Sequence, residues 1–347
     1  MKFNKNIRIN DSVISSESNT FIIAEAGVNH DGDIAKAKRM VDAAFLAGAD
    51  AVKFQSFKTE KLILKDVAKA AYQKATGLKE TQYSMLKKLE IDIAGMREIK
   101  SYCEKLGIIF ITTPFDEYSL DELDELDLPA YKVASTDLTN IPFLARVSKK
   151  SKPIILSTGM SYLSEIEMAL AVIYENNKDV ILLQCSANYP IADNEANLAV
   201  INTFKRNFDV LVGYSDHTMG IGAAPFAIPM GAKLVEKHFT LDKNAVGPDH
   251  RASLSPDELV EFVKVVRRVD SYIGCEIKYP IFSELNTRAT LQKSLVAGIS
   301  IRAGESFTEE NVTAKRCGGV GISPIYFRDV IGKTASRDFE VDEIIDL

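Results

Sequence analysis

Eight short apolar runs, each followed by a longer amphipathic stretch, recur between residues 21 and 274. No other feature of the chain constrains its fold as much. The runs are "FIIAEAG" (21–27), "AVKFQS" (51–56), "IIFITTPF" (108–115), "AYKVAST" (130–136), "PIILSTG" (153–159), "VILLQCS" (180–186), "VLVGYSD" (210–216) and "LVEKHFT" (234–240). They are mostly continuous rather than alternating, as expected of parallel strands covered by helices on their outer face. Helical patterns lie between them. In "DIAKAKRMVDAAFLAGA" (33–49), Ala37, Met40, Val41 and Ala44 share one face; "SYLSEIEMALAVIYEN" (161–176) starts with a serine and carries Glu165 near its first turn. "SPDELVEFVKVVRRVDSYIG" (255–274) supplies the last helix, with Ser255 as N-cap and Pro256 at its first position. Eight strand–helix units in this length predict a (β/α)8 TIM barrel. The rival, a doubly wound open sheet, would show fewer units and a GxGxxG-type first turn, whereas the turn after the first run reads "EAGVNHDGD".

The texture changes after residue 274. A segment of little periodicity (275–289) leads into a glycine-rich tail of short strands and turns (290–347), containing two phrases of one kind, "SIRAGESFTEENV" and "SRDFEVDEIIDL". This predicts a small second domain that buries little by itself. The first 20 residues, with "NIRIN" and "SVI", predict a hairpin that plugs the barrel floor. The formal net charge is −6, from 48 acidic and 42 basic residues, with no basic block, which argues against a nucleic-acid partner. No apolar leader and no run of 18 uncharged apolar residues occurs, so the expected setting is the cytoplasm, with no membrane association. Cys103, Cys185, Cys275 and Cys317 are widely spaced, which argues against a disulfide framework or a cysteine zinc site.

In a TIM barrel the reactive face is the C-terminal end of the strands, and here those ends are polar. They deliver Glu25; Lys53 and Gln55; Thr112 and Thr113; Lys132, Ser135 and Asp137; Ser157 and Thr158; Asn188 and Tyr189; Ser215, Asp216 and His217; and Glu236 and His238. An ammonium inside a parallel strand is costly unless paired, and Lys53 and Lys132 repeat that anomaly. Together with hydroxyl-bearing strand ends they indicate a phosphate or carboxylate pocket. Glu236 and His238 alternate by two and so share a face of their strand. His217 ends the neighbouring strand. Two imidazoles beside a carboxylate suit a divalent first-row metal that polarises a carbonyl, and suit structural zinc poorly. His30 either touches substrate or caps its loop, and His250 reads as a loop residue. A metal, an oxyanion pocket and the candidate acids Glu25, Asp137, Glu236 and Asp249 leave open a class II aldolase, a phosphate-binding isomerase or an enolpyruvate-condensing enzyme. A non-enzymatic binding module would not explain so many polar strand ends.

The stretches "IIAEAGVNHDGD", "AGADAVKFQSF", "FITTPFD", "AYKVAS", "KPIILSTGM", "NYP", "GYSDHT", "EKHFTLDKNAVGPDH" and "ENVTAKRCGGVGISP" span nearly the whole chain. In them the sequence resembles the sialic-acid synthases, which condense phosphoenolpyruvate with an acylamino-sugar. The resemblance implies a TIM barrel followed by an antifreeze-like (SAF) domain, and a swapped homodimer in which that domain covers the partner's site. It implies His217 and His238 as ligands of Mn2+ or Mg2+. Lys53, Thr113, Lys132, Ser135, Ser157 and Ser215 would form the phosphoenolpyruvate pocket, and Glu25, Gln55 and Asp137 the catalytic groups. Tyr189 and Asp249 would contact the sugar, and Arg316 would reach it from the other subunit. The chain departs from the family pattern at Thr136-Asp137, where many members carry Gly-Glu. It also departs at Gln184-Cys185, at Ala187 and at Cys317, which replaces a proline. On this reading the sugar is N-acetylmannosamine, giving N-acetylneuraminate, with the diacetamido relative that leads to legionaminic acid as the alternative. Tyr189 and the 70–91 stretch are expected to decide between them.

Overall fold

The computed structural model describes residues 1–67 and 81–347. The first half of the 70–91 stretch, 70–80, therefore lies outside the described residues. The chain divides into two compact units, Met1–Gly274 and Cys275–Leu347.

The first unit opens with an antiparallel hairpin, β1 (Asn6–Ile9) and β2 (Ser12–Ser15). Eight parallel strands follow: β3 (Phe21–Gly27), β4 (Ala51–Ser56), β5 (Ile109–Pro114), β6 (Tyr131–Val133), β7 (Ile154–Ser157), β8 (Val180–Cys185), β9 (Leu211–Asp216) and β10 (Leu234–His238). They close into a barrel in sequence order, with β10 pairing β3. Helices intervene as the periodicity predicts. Ile34–Ala47 is capped by Asp33, whose carboxylate accepts from the amides of Ala35 and Lys36. Pro256–Ile273 starts from Ser255 in a reciprocal box with Glu258. In Leu163–Tyr174 the Glu165 carboxylate caps the Tyr162 amide at 2.7 Å, so the helix begins later than its serine suggested. The fourth strand is also shorter than expected. It ends at Val133, and Ser135–Asp137 coils into a 3-10 turn.

Strand parity builds the barrel in layers. Ile23, Ala51, Ile111, Ala130, Ile155, Ile181, Leu211 and Leu234 form one buried apolar cluster, which also contains Ile7, Ile9 and Ile14 of the hairpin. The hairpin thus closes the barrel floor with its own side chains. Two residues further along six of these strands, on the same face, stand Glu25, Lys53, Thr113, Lys132, Ser157 and Glu236. The opposite parity (Ile22, Ala24, Val52, Phe54, Leu156, Leu182, Tyr214, Val235) belongs to the larger core shared with the helices. No described helix is long and apolar enough to cross a membrane.

In the second unit β11 (Lys293–Ala297) pairs antiparallel with β12 (Val312–Arg316). A compact core of Leu295, Ile301, Phe307, Val312, Val330, Phe339 and Ile345 holds it. The two similar phrases meet there, through an antiparallel bridge between Ile301 and Phe339.

Candidate active site

The layer above the apolar floor contains two ammonium groups and two carboxylates, all buried. Lys53 Nζ lies 2.9 Å from Glu25 Oε2 and 3.6 Å from Glu236 Oε2, and it donates to Thr113 Oγ1 at 3.1 Å. Lys132 Nζ donates to Ser157 Oγ at 2.7 Å and lies 3.7 Å from Glu236 Oε1. Ser215 Oγ donates to the same Glu236 oxygen at 3.0 Å. Gln55 Nε2 donates to Glu25 Oε1 at 3.3 Å. Each ion is compensated, which is what makes charge tolerable in the middle of a barrel.

The two carboxylates are driven apart electrostatically. Burial raises Glu25 to about 7, against the pull of Lys53 and with the repulsion of Glu236 added. Burial acts on Glu236 too, but Lys132 and Lys53 outweigh it and hold the group down at about 2. One carboxyl thus exchanges its proton near neutral pH while its neighbour stays ionised. Burial opposes the charge of Lys53, yet Glu236 and Glu25 raise it above its ordinary value. Lys132 is lowered, chiefly by burial.

Beside this cluster stand the two histidines. Their ring centroids are 5.5 Å apart, and the Tyr189 ring packs on both, at 4.0 Å from His217 and 5.3 Å from His238. His217 Nδ1 lies 2.7 Å from the Ser186 carbonyl, so it donates there, and in the neutral ring Nε2 keeps its lone pair. Burial depresses His217, but Cys185 and the Ser186 carbonyl outweigh it and the net shift is upward. His238 is pushed well down by burial and by His217, and so stays a neutral imidazole. Its Nδ1 is buried without a hydrogen-bond partner, 3.9 Å from Asp249 Oδ2. Burial raises Asp249 to about 6.

A neutral ring with an orphaned nitrogen beside a second oriented imidazole fits a divalent metal. No group of three or more His, Cys, Asp or Glu side chains among the described residues is arranged as a complete ligand set. The protein therefore offers two nitrogen donors, and oxygen from water and substrate would complete the shell. That composition suits an exchangeable ion rather than structural zinc.

All these groups line one cavity of about 670 Å³. Its remaining wall is mostly apolar, with Gln82, Thr136 and Asn188 as its polar members. Val28, Phe57, Leu62, Ile63, Met85, Leu86 and Phe115 line it together with Met160, and Val28, Phe57 and Met85 form a small core of their own with Leu89. In its lining, the buried His238 Nδ1 has no hydrogen-bond partner, while Glu25 Oε2 and Glu236 Oε2 face only the shared Lys53 ammonium, at 2.9 and 3.6 Å. Orphaned polar atoms are rare in protein interiors, and one beside two carboxylates that share a single ammonium marks a place completed by a polar ligand.

The structure brings Glu25, Gln55, Lys53, Thr113, Lys132, Ser135, Ser157, Ser215, Tyr189, Asp249, His217 and His238 into this cavity. Ser135 Oγ accepts from the Gly159 amide at 2.9 Å, an approach a side chain at 159 would block, since its Cβ would sit 2.9 Å from that oxygen. Asp137 is not brought in. The 3-10 turn carries it into a neighbouring cavity with Asp116, Asn140 and Arg146, where Asn140 donates to it at 3.1 Å. The expectation that it sits beside the reacting centre at a strand end is thereby corrected. Thr112 and Thr158 take the outward parity. Thr112 bonds Ser56 Oγ at 2.9 Å, and Thr158 donates to the Leu183 carbonyl at 2.8 Å. His30 caps its own loop, accepting from the Gly32 amide at 3.0 Å. Arg316 ends β12 in the second unit with an exposed side chain. In the sequence Glu236 reads as the carboxylate beside the paired imidazoles; the structure sets it between Lys53 and Lys132, with Ser215. The signal for that place was present, because two buried lysines require at least one fixed anion. Sequence reasoning missed the apolar wall entirely.

A barrel whose mouth gathers lysines, carboxylates of opposed acidity and paired imidazoles defines a TIM-barrel enzyme acting on a small anionic substrate. The chain belongs to the NeuB family, whose model matches residues 40–278, and it carries a SAF domain over residues 292–347. It is 44% identical over 330 residues (94% of this chain and 98% of the relative) to an N,N'-diacetyllegionaminic acid synthase of Campylobacter jejuni. It is 40% identical over 329 residues (93% and 92%) to the synthase of the same name from Legionella pneumophila. Its fold is similar to that of the N-acetylneuraminic acid (sialic acid) synthetase of Leptospira borgpetersenii solved with citrate. That match has a TM-score of 0.75 at 33% identity, covering 84% of this chain and 98% of the other.

Proposed function

We propose that this protein joins phosphoenolpyruvate to the open-chain form of 2,4-diacetamido-2,4,6-trideoxymannose, releasing phosphate and forming N,N'-diacetyllegionaminate. The observation that carries this reading is the two-sided lining of one cavity, with Lys53 and Lys132 on paired carboxylates and an apolar wall from the chain that follows β4 and β5. Two buried ammonium groups with hydroxyls at Thr113, Ser135, Ser157 and Ser215 suit a substrate carrying both carboxylate and phosphate. The apolar wall suits a sugar with three methyl groups, one on C6 and one on each acetamido group. N-acetylmannosamine has a single methyl and a C6 hydroxyl. Similarity to the two legionaminic acid synthases points the same way, and reverses the order suggested by the sequence motifs. Similarity to the Leptospira synthetase supports N-acetylmannosamine as the second reading.

In the reaction, C3 of phosphoenolpyruvate forms the new bond to the sugar's aldehyde carbon, positive character develops at C2, water adds there, and phosphate leaves by C–O cleavage. Lys53 and Lys132 hold the anion in register. Glu25, poised at about 7, takes the proton given up by the adding water. Glu236 stays ionised and keeps both lysines charged between turnovers. Gln55 orients Glu25. His217 and His238 would hold a divalent ion, Mn2+ or Mg2+, which would supply Lewis-acid polarisation of a carbonyl oxygen. Asp249 and Tyr189 border that position and contact the sugar. The reading includes a domain-swapped homodimer, with Arg316 reaching the partner's sugar site.

The test is kcat/KM measured side by side on the two sugars. Hydrophobic pockets discriminate by roughly 10-fold or more per methyl-sized difference, so the diacetamido sugar is expected to win by at least about that factor. A preference for N-acetylmannosamine puts the second reading first. Phosphoenolpyruvate consumption with neither sugar overturns the reaction itself.

A further inference from the structure

Asp249 reaches the cavity from a loop, not from a strand, so something has to fix it. It lies at the start of the 3-10 turn His250–Ala252, after the loop that follows β10. The next side chain, His250, is fully buried and outside the cavity. Its Nδ1 lies 2.7 Å from Thr240 Oγ1, two residues past β10, and its Nε2 lies 3.1 Å from Asp31 Oδ1, in the turn after β3. Asp31 also pairs with Lys36 on the following helix. A second tie runs alongside. Asn29 Nδ2 donates to Ser253 Oγ at 3.0 Å and to the Phe239 carbonyl at 2.9 Å, and Ser253 Oγ donates to the Asp249 carbonyl at 2.7 Å. Gly247 closes over the imidazole so tightly that a Cβ there would lie 2.6 Å from its Cδ2. The ring thus ties its own turn to the residues just after β10 and to the turn after β3, and it is roofed by Gly247 of its own loop.

We propose that His250, with Asp31 and Asn29, is a positioning device that holds Asp249 against His238 and thereby sets the enzyme's affinity for its sugar, leaving phosphoenolpyruvate binding untouched. The inference rests on the functional reading above only for the identity of the ligand. The Thr240–His250–Asp31 chain has the order of a hydrolytic triad, but Thr240 is fully buried and its hydroxyl also accepts from the Asp242 amide at 3.2 Å, so it is a brace and not a nucleophile. A carboxylate placed by a loop loses its bearing with small backbone shifts, and misplacement by about 1 Å is enough to cost about 100-fold in rate.

Three full-length variants test it. His250→Ala removes both contacts, His250→Asn keeps an acceptor near the Nδ1 position for Thr240, and Ile99→Ala, in the core of helix Ile93–Leu106, serves as a destabilised control. KM for each of the two sugars and for phosphoenolpyruvate is measured, with amide hydrogen exchange of residues 242–253 in the substrate-free protein. His250→Ala is expected to raise the sugar KM at least 10-fold, keep the phosphoenolpyruvate KM within twofold, and speed exchange in 242–253. His250→Asn falls between it and wild type, and Ile99→Ala changes neither KM. Parallel changes in both KM values, the same sugar defect in Ile99→Ala, or unchanged exchange in 242–253 would each overturn the proposal. A wild-type protein that turns over neither sugar overturns the functional reading instead, and the exchange measurement still decides whether the brace exists.

Discussion

Directly behind the two histidines, on the outward parity of the barrel, Asp216 and Lys237 face each other as register partners of β9 and β10. Lys237 Nζ lies 3.0 Å from Asp216 Oδ2, with side-chain exposures of 1% and 0%. It also donates to the Thr218 carbonyl at 2.5 Å. Asp216 accepts from the Thr218 amide (2.9 Å) and hydroxyl (2.6 Å) and from the amides of Ala223 (3.1 Å) and Ala224 (3.0 Å). Gly222, at φ 63°, lets the loop close over the pair, since a Cβ there would lie 2.0 Å from Thr218 Oγ1.

Removing one member of a buried ion pair costs about 3–5 kcal/mol, because the other charge is left uncompensated. The two halves are not equivalent here. After Lys237→Met the Asp216 carboxylate keeps four donors, so the cost belongs at the lower end, about 3 kcal/mol. After Asp216→Asn the ammonium keeps the Thr218 carbonyl but loses its counter-ion, and an amide nitrogen replaces one of the two oxygens that accept backbone amides, so about 5 kcal/mol is expected. The double variant removes both charges together and should cost at least about 2 kcal/mol less than the sum of the singles. The chain has no tryptophan, so urea unfolding is followed by far-UV circular dichroism, with hydrogen exchange in β9 and β10 reporting the local effect. Strictly additive costs, or a Lys237→Met loss below about 1 kcal/mol, the level of an exposed pair, would refute the reasoning.

Glu25→Gln should lower kcat by about 100-fold or more, the ordinary scale of general acid–base catalysis, with phosphoenolpyruvate binding by calorimetry retained; unchanged kcat removes Glu25 from the proton path. Burial holds His30 down at about 4, from an ordinary 6.5, so below 6.5 the unfolded chain binds a proton that folded His30 refuses. Stability should therefore fall by about 3 kcal/mol between pH 6.5 and 4 on this account; His30→Asn, which keeps an acceptor for Gly32, should flatten urea midpoints over that window, and an identical slope would discard the idea. Chelation should abolish turnover and added Mn2+ restore it, while the His217→Ala, His238→Ala double variant should show no saturable Mn2+ binding by electron paramagnetic resonance; tight binding by that variant places the metal elsewhere. Mixing inactive Arg316→Ala and Lys53→Ala proteins under subunit exchange should regenerate a barrel with an intact lysine and an intact partner arginine. Inactive, verified mixed dimers would mean that Arg316 does not act across subunits.

What the sequence determined by itself was everything that follows from period and parity. Eight apolar runs spaced by amphipathic stretches have little choice but a closed parallel barrel, because each strand must bury both faces. Alternation by two then put Glu25, Lys53, Lys132, Ser157, Glu236 and His238 on the inner face without reference to any tertiary contact. Helix starts at Asp33 and Ser255 were readable for the same reason, since capping is settled within four residues. The tertiary structure alone decided what lies beyond the strand ends, where no period applies. The chain leaves β6 at Val133 and coils, so Asp137 turns into a different cavity from Ser135, two residues away. Asp249 faces the histidines only because His250 and Ser253 are tied to residues 29–31, more than 200 positions distant. Whether Glu25 or Glu236 carries the exchangeable proton depends on which lysines approach each carboxylate and how closely. Those distances are set by barrel closure, which no local pattern records.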